Sequence, residues 1–507
     1  MNLSKLLMAV WIFLLSTVSV YASDKPNIVF ILADDLGYGD LQAYNPQRCK
    51  IATPNMDRLA AQGMMFTDAH SSSSVCTPTR YSILTGRYNW RTTRQQGVLN
   101  GFGRPMIPTD RLTVAGFLQQ QGYNTACVGK WHLGMNLPSS DGKGFKGHNA
   151  RNIDWTKSIT GGPTAVGFDY YYGVTASLDM PPYIYVQNDR FVGEATETKA
   201  FRTPRRPGPA HPDFEAVDVL PEIGRKSVEY IQQQDASKPF FLYVPLTSPH
   251  TPIVPSPQWL GKSGVGEYGD FTMQTDAVVG QIVDAIDQGG FAEHTIVIVT
   301  SDNGCSKSAG IDGLQKQDHY PSAHLRGSKA DLWDGGHRIP FIVRWPFLVE
   351  AGTNCDGTIL QLDLMATCAD LLGATYPASA GEDSVSFLPA LKGKPIASKR
   401  TGVVHHSVSG HFAYRQGKWK LLLAKGSGGW TVPNEKQLRE SNIRGQLYDM
   451  ESDSGEQNNL FQSKPEIVDE LLTALKRDIQ RGRSTSGPDQ ANDLAFEKIK
   501  LWKSERN

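Results

Sequence analysis

The sequence predicts an α/β fold: a large mixed, mostly parallel sheet sandwiched by helices, followed by a smaller C-terminal α+β domain with an antiparallel sheet and a helix. Three observations predict it. From Lys25 to about Ala374, apolar runs alternate with amphipathic segments, the pattern of parallel strands joined by helical crossovers. The leading apolar run is unbroken, as in strands covered on both faces. A composition change over Tyr376–Lys399 then precedes short strand-like runs separated by turns.

In chain order, Lys5 and the apolar stretch Leu6 to Val20 precede Val20-Tyr21-Ala22, which has the small-residue spacing of a signal-peptidase site. Residues 1–22 are therefore expected to be a signal peptide. They are followed by a large domain over 23–375 and a smaller domain over 376–507. The apolar stretch is short for a membrane span, the residue directly after the cut is Ser23 and not a Cys that could carry a lipid, and no second stretch is long enough to cross a bilayer. The mature chain is expected to be exported, periplasmic or secreted, without a membrane anchor.

Asn27–Leu32 reads as a buried strand. Thr53-Pro54 opens a helix that Gly63 ends, and Thr113 to Gln121 repeats the plan before Gly122. Asn124–Val128, Phe240–Leu246 and Thr295–Thr300 are further strands. Phe271–Gln288 is a helix striped by Val278, Val279, Ile282, Val283 and Ile286. Residues 142–212, rich in Gly, Pro and aromatics, read as an irregular insertion that shapes a pocket. Thr401–His406, Phe412–Arg415, Trp419–Leu423 and Gln446–Tyr448 read as short strands, with Ile467–Arg477 as a helix on them. The polar tail after Gly482 is expected to be loosely held.

Lys plus Arg equals Asp plus Glu at 51 each. That balance gives no global attraction to nucleic acid or anionic lipid, so any anion specificity is local. Six Cys, at 49, 76, 127, 305, 355 and 368, are too scattered for a disulfide scaffold.

The residues at the end of each strand carry a more specific signal. Asn27–Leu32 runs into Asp34-Asp35, Asn124–Val128 into Lys130-Trp131-His132, Phe240–Leu246 into Ser248-Pro249-His250, and Thr295–Thr300 into Asp302-Asn303. Ligands of open α/β sheets bind beyond the carboxyl ends of the strands. Asp34, Asp35, Asp302 and Asn303 are hard oxygen ligands suited to Ca²⁺ or Mg²⁺. One Asp pair alone would read as a turn or cap; a second acidic strand end favours a metal.

Cys76 lies in Ser71-Ser-Ser-Ser-Val-Cys76-Thr-Pro78-Thr-Arg80, followed by Thr85-Gly86-Arg87. Pro78 suggests a helix opening there, whose first amides favour an anion beside residue 76. Arg80, one turn on, can grip an oxyanion or hold the nucleophile. Cys-x-Pro-x-Arg with Thr-Gly-Arg resembles the activation signature of type I sulfatases, on an alkaline-phosphatase-like fold. Gly129-Lys130-Trp131-His132, Ser248-Pro249-His250, Leu325–Lys329 with Asp334–Pro340, and Leu447-Tyr448-Asp449 also resemble segments of that family.

The resemblance implies a sulfuric ester hydrolase with one Ca²⁺ on Asp34, Asp35, residue 76, Asp302 and Asn303. It implies that a formylglycine-generating or sulfatase-maturating enzyme converts Cys76 to formylglycine, whose hydrate attacks sulfur. Lys130 and Lys329 would bind sulfate, His250 with Lys329 would protonate the leaving oxygen, and His132 would help reform the aldehyde. The substrate would be a sulfated carbohydrate attacked in exo fashion. The Asp334–Arg338 run is similar to that of bacterial sulfatases acting on 6-O-sulfated galactose or N-acetylgalactosamine. Asp179, His319, Arg326 and His337 are candidate sugar contacts, while His405 and His406 read as structural. Two other functions are compatible with these residues: a phosphatase or phosphodiesterase of the same superfamily, and a glycan-binding protein without activity.

Overall fold

The four apolar runs form the adjacent middle of a ten-stranded sheet in the computed structural model, which describes residues 25–145, 150–201, 206–396 and 400–502. The expected signal peptide lies outside the described residues. Asn27–Asp34 sits between Thr295–Ser301 and Phe240–Pro249, with Asn124–Lys130 beyond the latter, all in parallel. Every residue of Asn27–Asp34 is buried, as a strand between two helical layers requires. Ile28, Phe30 and Leu32 enter one core with Phe341 and Tyr171. Val29, Ile31 and Ala33 enter the other with Val279 and Ile282, the period-two alternation of a strand.

Each of these strands continues past its apolar run into polar residues. The first ends at Asp34, the second at Lys130, the third at Pro249 and the fourth at Ser301. Backbone pairing with a neighbour does not need an apolar side chain, so the ladder outlasts the hydrophobic signal. Antiparallel Phe341–Arg344 follows Thr295–Ser301 at one side. At the other, Tyr170–Val174 adds in parallel to Asn124–Lys130, inside the segment expected to be irregular. That strand is Tyr-Tyr-Tyr-Gly-Val and lacks the aliphatic run that marked the others.

The helices follow the expected signals. Pro54–Gln62 has Pro in its first turn, and Thr113 caps Val114–Gln120 by accepting from the Gly116 amide. Glu267–Gln288 starts four residues before the expected Phe271, in an acidic first turn that suits the helix dipole.

The second sheet has four antiparallel strands in the order Val403–His406, Phe412–Gln416, Trp419–Leu422 and Gln446–Asp449. Helix Pro465–Gln480 packs Val468, Leu471, Leu475 and Ile479 against Val404, Phe412, Tyr414 and Leu421. The tail is not loosely held over its described length. Ile499 and Leu501 enter this same core, and Arg483, Ser484 and Thr485 are buried. Isolated apolar residues docking on a preformed core leave no periodicity to read. Among the described residues no helix is long and apolar enough to cross a membrane, and all six cysteines are free thiols.

Asp478 on that helix has a measurable consequence. Burial pushes its carboxyl up to about 6, although Tyr414 and Thr401 donate to it. The folded chain therefore retains a proton that an unfolded Asp loses near pH 4, so this group's contribution to stability falls between about pH 4 and 6. Asp478→Asn should remove that slope. Denaturant unfolding should show the variant gaining on wild type across this window and remaining about 2–3 kcal/mol ahead above it. Parallel curves for the two proteins would refute the assignment.

Candidate active site

The carboxyl ends of the four central strands meet at one buried cluster. Asp34 ends the first strand and Asp35 comes next with φ 67°, a left-handed turn that redirects the chain. The Asp35 amide donates to Asp302 Oδ1 at 3.2 Å, and Asn303 Nδ2 donates to Asp35 Oδ1 at 2.7 Å. Lys130 ends its strand with its ammonium on Asp34 Oδ2. Gly129 before it has φ 138°, and a Cβ there would lie 2.0 Å from the Pro245 carbonyl. Only glycine lets that strand end approach its neighbour so closely.

Cys76 is the first residue of helix Cys76–Thr85, which Gly86 closes in the left-handed region. Its Sγ lies 3.6 Å from Asp34 Oδ1 and 3.4 Å from Lys329 Nζ. Lys329 also donates to Asp35 Oδ1 at 2.5 Å. Burial pushes the Cys76 thiol up to about 12 despite the two lysines, so the unmodified thiol is a poor nucleophile at neutral pH. Lys329 stays charged, because the carboxylates led by Asp35 outweigh its burial.

Arg80 lies one helical turn after Cys76, on the same face. Its Nε and one terminal nitrogen donate to Asp302 Oδ2 at 3.2 and 2.8 Å, and its other terminal nitrogen to the Lys130 carbonyl at 2.9 Å. The guanidinium is thus committed to fixing two strand ends rather than standing free for an oxyanion.

His132 Nε2 bonds the Leu99 carbonyl at 2.8 Å and must carry its proton there, leaving Nδ1 as a buried lone pair with no partner. Burial, then Lys130 and Arg80, hold this ring well below the usual histidine range, hence neutral. The Leu99 segment had no signal in the sequence, because its contribution is a backbone oxygen. His250 bonds the Thr251 carbonyl through Nδ1 at 2.5 Å, and its Nε2 is 3.8 Å from Asp35 Oδ2. Burial, then Lys329, lowers its pKa as well.

Asp34, Asp35, Cys76 and His250 each present one ligand atom, all within 4.8 Å of one another. Asp35 Oδ2 and Asn303 Oδ1 are buried and accept no hydrogen bond. Buried oxygens left without donors beside three carboxylates fit a bound metal ion.

A family model described as Sulfatase matches residues 26–374. The chain belongs to the sulfatase family. It is 34% identical to an N-acetylgalactosamine-6-O-sulfatase of Bacteroides thetaiotaomicron, covering 90% of this chain and 93% of that protein. It is 32% identical to arylsulfatase A of Bos taurus over 92% of this chain and 90% of that one. A solved Bacteroides thetaiotaomicron structure, described with the metabolism of multiple glycosaminoglycans, superposes with a TM-score of 0.77 at 31% identity, covering 90% of this chain and 99% of that one. The protein is accordingly a sulfuric ester hydrolase.

Not every expected contact reaches the centre of this sulfatase. His319 is fully buried, with Nε2 2.8 Å from Asp40 Oδ1 and Nδ1 accepting from the Lys50 amide. Asp40 in turn accepts from the Gly37 amide and the Tyr268 hydroxyl, so His319 braces the turn after Asp35 rather than lining a sugar pocket. Arg326 stacks on Trp333 at 3.7 Å and donates to the Glu456 carbonyl at 2.6 Å. Its guanidinium ties the loop before Lys329 to the smaller sheet.

His337, also expected at the sugar, is buried in a histidine cluster between the two sheets. Its ring stacks on His405 at 3.8 Å, and its Nδ1 lies 3.0 Å from His70 Nδ1. Lys420 approaches its Nε2 at 3.2 Å. Nearly parallel rings and an ammonium group suit a packed joint better than a metal, whose ligands point in-plane. His405 thus has a partner that sequence could not reveal. Asp179 is buried and faces Arg206 at 3.4 Å.

Proposed function

We propose that this sulfatase removes sulfate from a sulfated carbohydrate in exo fashion, with 6-O-sulfated N-acetylgalactosamine or galactose as the unit attacked. The observation that carries the reaction is the buried cluster around Cys76, where two lysines and a set of oxygen ligands converge at one sheet edge. The choice of sugar is supported by the 34% identity to an N-acetylgalactosamine-6-O-sulfatase over nearly the whole chain.

Formylglycine at position 76 would supply the nucleophile for sulfur, and Ca²⁺ held by Asp34, Asp35, residue 76, Asp302 and Asn303 would neutralise charge. The chain's own residues do the rest. Lys130 and Lys329 bind the sulfate oxygens and stabilise charge gathering there. His132 Nδ1, kept as a lone pair by the Leu99 carbonyl, takes a proton from residue 76 when sulfate is expelled. Lys329, which stays charged, hands a proton to the leaving sugar oxygen; His250, whose Nδ1 proton is held by the Thr251 carbonyl, shares that role from Nε2 only once its ring has taken up a second proton. Arg80 holds Asp302 and the Lys130 strand end in place.

On this reading the mature chain, cut after Ala22, works in the periplasm or outside the cell. There it acts as a catalytic domain over 23–375 with a smaller domain over 376–507. It also requires a maturating enzyme that reads the Cys76 segment.

A panel of defined sulfated sugars tests the substrate. The 6-O-sulfated N-acetylgalactosamine should be turned over at least about 100-fold better in kcat/KM than its 4-O-sulfated isomer. Equal rates would reject the regiochemistry, and no hydrolysis of any ester by matured protein would reject the function. Dialysis against a chelator should abolish turnover and added Ca²⁺ restore it. Full activity with Zn²⁺ instead would contradict the oxygen-ligand assignment.

A further inference from the structure

Beside the catalytic cluster lies a separate cleft of roughly 530 Å³, lined by Arg94, Gln96, Leu99, Arg104 and Met106 among others. Its volume suits a small ligand. Leu99 is shared between the two, because its carbonyl holds His132 and its amide donates to Thr77 Oγ1, next to Cys76. The cleft wall is therefore one hydrogen bond away from the His132 ring. Its far side is tied to the same segment, since the Met106 amide bonds the Leu133 carbonyl and the Met135 amide bonds the Gly103 carbonyl.

The charge in this cleft is unbalanced. Among the described residues, neither Arg94 nor Arg104 has a carboxylate within ion-pair distance. Arg94 is half-buried, and its guanidinium makes one long bond of 3.4 Å to the Val98 carbonyl. Burial alone lowers its pKa. The acid on the wall, Asp493, is already engaged by Arg87 at 3.0 Å. Two arginines without acidic partners, Arg94 half-buried and Arg104 exposed, line one cleft of ligand size, and a guanidinium can hold a carboxylate or sulfate through two N–H groups at once.

We propose that this cleft is a second anion subsite, which binds a carboxylate or a further sulfate on the sugar adjoining the one that loses its ester. The inference rests on the carbohydrate sulfatase reading and narrows it to polyanionic glycans. Binding one anion at each site makes the enzyme prefer a charged neighbour over a neutral one.

The test compares disaccharides that carry the same scissile sulfate next to a uronate, a second sulfate or a neutral sugar. Wild type should favour one or both charged neighbours, and in R94Q/R104Q that preference in kcat/KM should fall about 10–100-fold, mainly through KM. The uronate and disulfate arms identify which anion is read. A preference unchanged by the double variant, or its absence in wild type, overturns the proposal. The single variants R94Q and R104Q, each checked by thermal melting, carry the same comparison if the double variant is unstable.

Calorimetry with a uronate oligosaccharide and with one sulfated only at positions other than the scissile one separates the subsite from the reaction. Salt-sensitive binding lost in R94Q/R104Q supports the cleft even if no ester is hydrolysed. Absence of such binding in an active enzyme rejects the cleft and leaves the sulfatase reading standing.

Discussion

Cys76→Ala should lower sulfate-ester turnover by at least about 10⁴-fold, the scale seen when a nucleophile is removed from an intact site. Two of the nearby hydroxyls are engaged elsewhere. Ser71, Ser72, Ser73 and Ser74 are buried, with Ser71 and Ser73 committed to backbone carbonyls. The substitution removes one sulfur atom whose polar contacts are both longer than 3.3 Å, so folding should survive. Thermal melting should place the variant within a few degrees of wild type, as expected for the loss of about 1 kcal/mol. Steady-state kinetics and intact-peptide mass of the residue 71–87 segment form the paired measurement. Retention of a tenth of wild-type activity, or an active protein whose Cys76 peptide still has the mass of a thiol, would reject the assigned nucleophile.

Arg80→Met should produce the largest loss of stability of any single change at the site. Arg80 is fully buried, makes two bonds to Asp302 Oδ2 and lies 3.5 Å from Asp34 Oδ2. Methionine fills much of the same volume but leaves Asp302 without its cation. Breaking a buried pair in this way costs about 3–5 kcal/mol, because an uncompensated charge remains inside the protein. Denaturant unfolding of chelated protein reads this without help from a bound cation. A cost below about 1 kcal/mol would mean that Lys130 and Lys329 already balance the carboxylates. Arg80→Lys should fall between the two, since an ammonium cannot reach Asp302 twice and the Lys130 carbonyl as well.

The reach of sequence reasoning differs from residue to residue. Asp34, Asp35, Lys130, His250, Asp302 and Asn303 were legible because each comes just after an apolar strand, and strand ends in such a sheet share an edge. His319, Arg326 and His337 lie in a motif-rich stretch, yet each is engaged internally. Their partners, Asp40, Trp333 with Glu456, and His405 with His70, are remote in sequence or carry no motif. The strand Tyr170–Val174 is not legible in the sequence for another reason. Tyrosine serves strands and pocket walls alike, and only pairing with Asn124–Lys130 separates the two.

By itself, the sequence determined the class of bond that breaks and the sheet edge that gathers the candidate site. Cys76, Arg80 and the four strand ends are local features, written within a few residues of one another, and local chemistry is what a linear pattern can carry. Only the tertiary structure decided which nitrogen of His132 is free, that Arg80 serves the acids, and that the tail completes the small core. It also opened a cationic cleft beside Leu99. Each of these depends on contacts between distant segments, where a backbone oxygen or an unpaired guanidinium acquires meaning from what surrounds it.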